Sequence, residues 1–90
     1  MHEFRAAQKD DWKTFPMPEQ QEQFTIPLAV SDQEYESIKL GYIPREMEDK
    51  WYLYMDRDTL YIHRSWTGFC IYEIHFASDR RSARVIANRD

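Results

Sequence analysis

The sequence predicts an α+β fold, a small antiparallel meander of three to four strands packed against one main helix. Three observations carry this. Lys50 to Phe76 alternates in hydrophobicity with the period of two that strands require, and it is interrupted by two turn-like segments. Ser31-Asp32-Gln33-Glu34 has the S-x-x-E pattern of a helix start. The length, 90 residues, allows one domain near the lower limit for a self-sufficient core.

Taken in order, residues 1–23 show no sustained period. Ala6 to Lys13 has some helical character, but Pro16 and Pro18 stop it. Residues 1–23 are therefore expected as an N-terminal arm, and 24–90 as the single α+β domain. The arm is either loosely held, or anchored on the domain or a partner chain through Trp12, Phe15 and Met17. Phe24 to Val30 is extended and apolar, and Pro27 confines it to an edge strand or an interrupted one.

In the helix, Ser31 accepts from the Glu34 amide while Glu34 reaches back, and Asp32, Glu34 and Glu36 complement the positive N-terminus. Gly41 is the natural stop. The buried stripe is narrow, with Tyr35 and Ile38 three apart and Tyr42 beyond.

Along the meander, Trp51, Leu53 and Met55 share one face, and Tyr52, Tyr54 and Asp56 the other. Asp56-Arg57-Asp58 and Ser65–Gly68 are the turns, Gly68 being available for a positive φ. Cys70, Tyr72, Ile74 and Phe76 then alternate with Phe69, Ile71, Glu73 and His75, and Ala83 to Ala87 forms a fourth, weaker strand.

Composition removes several classes of function. No apolar run approaches the roughly 20 residues of a membrane span, and the N-terminus lacks a signal-peptide core. With a lone cysteine, Cys70, no intrachain disulfide forms, so a cytoplasmic location is expected. Residues 1–50 carry 6 basic and 11 acidic groups, which argues against nucleic acid as a partner.

Two regions remain as candidate binding sites. If the apolar strand faces meet the helix, the opposite face carries Tyr52, Tyr54, Tyr61, His63, Ile71, Glu73 and His75. Such a face either presents large rigid area with directional polar groups to a ligand or partner, or stabilises a thin sheet through cross-strand tyrosine pairs. A one-residue slip in register would exchange the faces.

The second region is the turn. Arg64 offers a donor fork for carboxylate or phosphate, Ser65 and Thr67 offer hydroxyls, Trp66 a stacking surface, and Gly68 close backbone approach. The alternative is structural, with Arg64 stacked on Trp66, the hydroxyls capping the turn and Trp66 plugging the core.

No catalytic set converges. His63, Glu73 and His75 lack metal-ligand spacing, so neither a metal nor a cofactor is expected. Strand alternation places Cys70 on the core side, away from His63, and Ser65 is too near His63 in sequence to align as nucleophile and base.

The strings Trp51-Tyr52-Leu53-Tyr54 and Leu60-Tyr61-Ile62-His63-Arg64-Ser65-Trp66-Thr67-Gly68-Phe69-Cys70-Ile71-Tyr72 resemble a group of small bacterial proteins with a K-W-x-x-Y … L-Y-x-H-R-S-W-T-G-x-C-I-Y signature. The likeness covers residues 44–76 and attaches no chemistry. Similar segments sometimes accompany ADP-ribose-processing proteins, but no hydrolase or macrodomain motif is present. The sequence thus leads to a small non-enzymatic binding or regulatory module acting through a protein partner. The alternative is a nucleotide or ADP-ribose-type ligand at His63–Gly68, with weak hydrolytic activity. A homodimer through an exposed edge strand is also expected.

Overall fold

The computed structural model describes residues 6–46 and 48–89. They form a five-stranded antiparallel sheet and one α-helix. The elements are β1 (Gln21–Pro27), α1 (Asp32–Lys39), β2 (Trp51–Asp56), β3 (Thr59–Arg64), β4 (Cys70–Phe76) and β5 (Ser82–Asn88), preceded by a 3-10 turn at Lys9–Asp11. The spatial order is β1-β5-β4-β3-β2.

The fold class holds, but the sheet has five strands instead of three or four. The strand expected to be weak, β5, lies inside the sheet and pairs with both β4 and β1. The edge strand begins at Gln21 (opposite Asn88), three residues before the apolar run that signals it. Gln21 to Gln23 carry no apolar residue, so only their pairing with β5 reveals them as strand.

Pro27 is tolerated for a geometric reason. The Gln20 carbonyl accepts from Arg89, and the Leu28 amide donates to Arg81. Even-numbered residues of β1 therefore bond to β5, and the amide that Pro27 lacks would point off the sheet edge.

Helix α1 starts as its capping box requires. The Ser31 hydroxyl accepts from the Glu34 amide at 3.1 Å, and the Glu34 carboxylate accepts from the Ser31 amide at 3.0 Å. This holds the Glu34 carboxyl below its ordinary range, first through the Ser31 amide and then through its hydroxyl. Gly41, at φ 65°, turns the chain out of the helix.

The helix seals its side of the sheet with Tyr35, whose ring meets Phe76 edge-on at 5.6 Å. The Tyr35 hydroxyl donates to Asp58 at 2.7 Å, while the Arg80 guanidinium lies 3.9 Å over the ring. Leu60, Phe76 and Ala83 complete this core, with Ile26, Leu28, Ile38 and Ile74 around it. With only eight residues, α1 reaches across part of the face.

Candidate functional site

A second core lies on the other sheet face, and the arm builds it. Tyr52 is fully buried, Tyr54 is 5 % exposed, and Ala7 packs against them. Backbone bonds fasten the arm at both ends: the Ala7 amide donates to Leu40 and the Phe15 amide to Gly68, each at 2.8 Å. Between them, the Trp12 indole donates to the Ser65 carbonyl at 2.8 Å and lies stacked near Tyr52, and Phe15 meets Phe69 at 5.7 Å. The Tyr52 hydroxyl donates to the Gln8 carbonyl. The described part of the arm is thus docked through Trp12 and Phe15, and the tyrosine face is covered.

That cover changes the standing of the expected binding residues. Tyr52, Tyr54, His63 and Ser65 are buried; Tyr61, Glu73 and His75 are half-buried; Arg64, Trp66 and Thr67 are exposed. The face is not an open aromatic surface, because the arm supplies a third layer over it. Tyr54 stacks on Tyr61 at 4.9 Å and on His63 at 5.6 Å, both rings tilted only 16°. Burial raises both tyrosine hydroxyls above their ordinary pKa, so they remain protonated at neutral pH.

Cys70 also sits on this face, not on the core side that simple alternation implies. Ile62 pairs with Tyr72, but His63 pairs with Cys70, leaving Ile71 as an extra residue. The resulting β-bulge turns Cys70 over to the histidine side. Its thiol is 1 % exposed and is pushed up to about 12 by burial, reinforced by Glu73. A protonated, inaccessible thiol is no nucleophile.

His63 is the unusual group. Its Nδ1 lies 2.9 Å from the Gly68 carbonyl, which can only accept, so the proton resides on Nδ1. Nε2 is then a bare acceptor, and it is buried without a partner. Gly68 makes this arrangement possible. At φ 80° its carbonyl serves both His63 and Phe15, and a Cβ there would lie 2.8 Å from the Lys13 carbonyl oxygen.

Burial, the main cause, holds the His63 pKa below its ordinary 6.5; Lys9 adds to this, while the Gly68 bond and Glu73 oppose it. The unfolded chain therefore takes up this proton first as the pH falls. The contribution is intact above about pH 6.5 and is lost progressively below it. We expect the urea midpoint to fall between about pH 7.5 and pH 5.5, and to fall less in His63→Phe.

The turn spends most of its polar groups on the fold. The Ser65 hydroxyl donates to the Asp49 carbonyl at 2.7 Å, and Thr67 Oγ1 accepts from the Phe69 amide at 3.2 Å. Arg64 stacks 4.9 Å over Trp51, not on Trp66, and Trp66 is 66 % exposed instead of plugging the core. His75 bridges Thr59 and Glu73, at 3.0 Å to each. Among the described residues, no three His, Cys, Asp or Glu side chains come together as a metal site. No described helix is long and apolar enough to cross a membrane.

The feature sequence reasoning missed is on the helix side. Tyr42, Trp51, Leu53, Ile62 and Tyr72 line a groove of about 790 Å³, in which Leu53 and Ile62 also pack against the core that Tyr35 seals. Tyr42, Trp51 and Tyr72 are each at least 36 % exposed. The Tyr42 hydroxyl donates to Asp49 at 2.7 Å, and the Arg45 and Glu46 amides converge on the same carboxylate, bracing the groove's rim. The apolar strand face was legible, but no local signal marked that Tyr42, Trp51 and Tyr72 stay exposed along it. No protein-family model matches the chain, no curated protein matches it, and no solved structure matches its fold.

Proposed function

We propose that this protein is a small non-enzymatic binding module that acts through protein–protein contact. The observation that supports this most is the exposed aromatic groove on the helix-side sheet face. Trp51, Tyr72 and Tyr42 form a rigid aromatic surface there, and Arg64 lies at its edge over the Trp51 ring. Tryptophan, tyrosine and arginine are the residues that most often dominate binding energy at interfaces. The aromatic rings bury large area with little rotamer freedom to lose, and the guanidinium offers a planar donor fork that also stacks. Trp66 and Thr67, which follow Arg64 in the chain after Ser65, are exposed as well.

The contact residues expected from sequence divide accordingly. Arg64, Trp66 and Thr67 remain with the proposed surface, while Tyr52, Tyr54 and His63 support it from beneath the arm. Full-length protein carrying Trp51→Ala and Arg64→Ala, checked for folding by circular dichroism, is the test. A partner captured by wild type should be lost by this variant and kept by Tyr61→Phe on the opposite face. Equal capture by the Trp51/Arg64 variant would overturn the reading.

A further inference from the structure

The arm does not fill the space it covers. A recess of about 380 Å³ remains between Thr14–Met17 and the sheet, within the size range of small-molecule sites. It lies on the opposite sheet face from the proposed protein contact and is independent of it. Tyr54, Tyr61 and Phe15 provide aromatic walls, and Asp56 and Glu73 provide carboxylates. Lys9 is the only ammonium among its described lining residues.

His63 also lines this recess, 2 % exposed, and its Nε2 has no partner. The Gly68 carbonyl fixes the ring tautomer, so this nitrogen can accept a hydrogen bond but not donate one. A buried acceptor is favoured by a guest that brings an N–H or O–H. The two carboxylates oppose an anion. The stacked tyrosine faces favour a planar ring and a positive charge.

We infer that the recess between the N-terminal arm and the sheet binds a small aromatic amine in its ammonium form. Its N–H donates to His63 Nε2, its ring lies against Tyr54, Tyr61 and Phe15, and its charge is offset by Asp56 and Glu73. The bond between the Phe15 amide and the Gly68 carbonyl closes the arm over the guest and holds the histidine tautomer through the same oxygen.

The test uses the full chain, with ¹⁵N-labelled histidine followed by NMR. Benzylammonium is the probe, and benzyl alcohol and benzoate are its neutral and anionic counterparts. Benzylammonium should shift the His63 Nε2 resonance and bind roughly tenfold more tightly than benzyl alcohol. Glu73→Gln, which keeps the side-chain shape, should reduce that preference, and His63→Phe should abolish binding while the protein remains folded. An Nε2 resonance that no probe moves, as for an acceptor satisfied by internal water alone, would overturn the inference. Equal affinity for all three probes would overturn it as well.

Discussion

Tyr52→Ala is expected to destabilise the protein by about 3–5 kcal/mol, the usual cost of truncating a fully buried aromatic ring. The ring joins two layers. It lies 6.3 Å from Trp12 in the arm, 5.6 Å from Tyr54 and 6.2 Å from His63 in the sheet, while its hydroxyl donates to Gln8. Truncation opens a cavity between arm and sheet and leaves the Gln8 carbonyl without that donor. A small domain has about 5–15 kcal/mol in total, so a large part of its stability would be lost. Tyr52→Phe keeps the ring and should cost only about 1 kcal/mol. Urea denaturation separates the two variants. Equal, small losses for both would show that the arm does not pack on this ring in solution.

The second large effect is expected at Gly41. Its φ of 65° already disfavours a side chain, and a Cβ would stand 2.2 Å from the Leu53 carbonyl oxygen and 2.9 Å from Ala7 Cβ. The obstructing oxygen is backbone, and it accepts from the Tyr42 amide at 2.8 Å, so it cannot swing aside. Gly41→Ala should cost roughly 2–5 kcal/mol, combining backbone strain with overpacking. For a domain of this size, each kcal/mol lowers the melting temperature by about 4–8 °C. The arm should also loosen, because Ala7 docks where the new methyl would go. Thermal melts and limited proteolysis of the arm would record both consequences. An unchanged melting temperature would contradict the close approach of this glycine to β2.

These two positions mark where sequence reasoning reaches and where it stops. Gly41 was legible as a helix stop, since a glycine after an apolar stripe is a local signal. Its other role, letting β2 and the arm pass within contact distance, was not. Tyr52 was legible as one member of an alternating face, and cross-strand tyrosine pairing was one of the two readings. Burial under the arm was invisible, because the arm has no periodicity to announce a packed layer. Trp12, Phe15 and Met17 were the only hints, and large apolar residues among prolines suit a docked strap and a free one equally well.

The candidate site shows the same division. Ser65–Gly68 was legible as a turn because Gly68 marks it locally. The sequence left open whether Trp66 lies exposed or plugs the core, and only the structure shows Arg64, Trp66 and Thr67 exposed. The groove is assembled from Tyr42, β2, β3 and β4, segments that meet only in the folded chain, so no local pattern encodes it. Cys70 illustrates the cost of assuming strict alternation. One extra residue in β4 moves it to the face of His63, and a bulge of this kind leaves no mark in composition.

By itself, the sequence determined the α+β class, the capped start and glycine stop of α1, the two meander turns and the alternation along β2 and β3. Each depends on residues within a few positions of one another. Tertiary structure decided the fifth strand, the inward position of β5, the side taken by Cys70 and which sheet face is covered. The contacts responsible join residues far apart: Tyr52 to Gln8 across 44 positions and Trp12 to Ser65 across 53. Periodicity assigns residues to faces, but only packing between distant segments determines which face meets water.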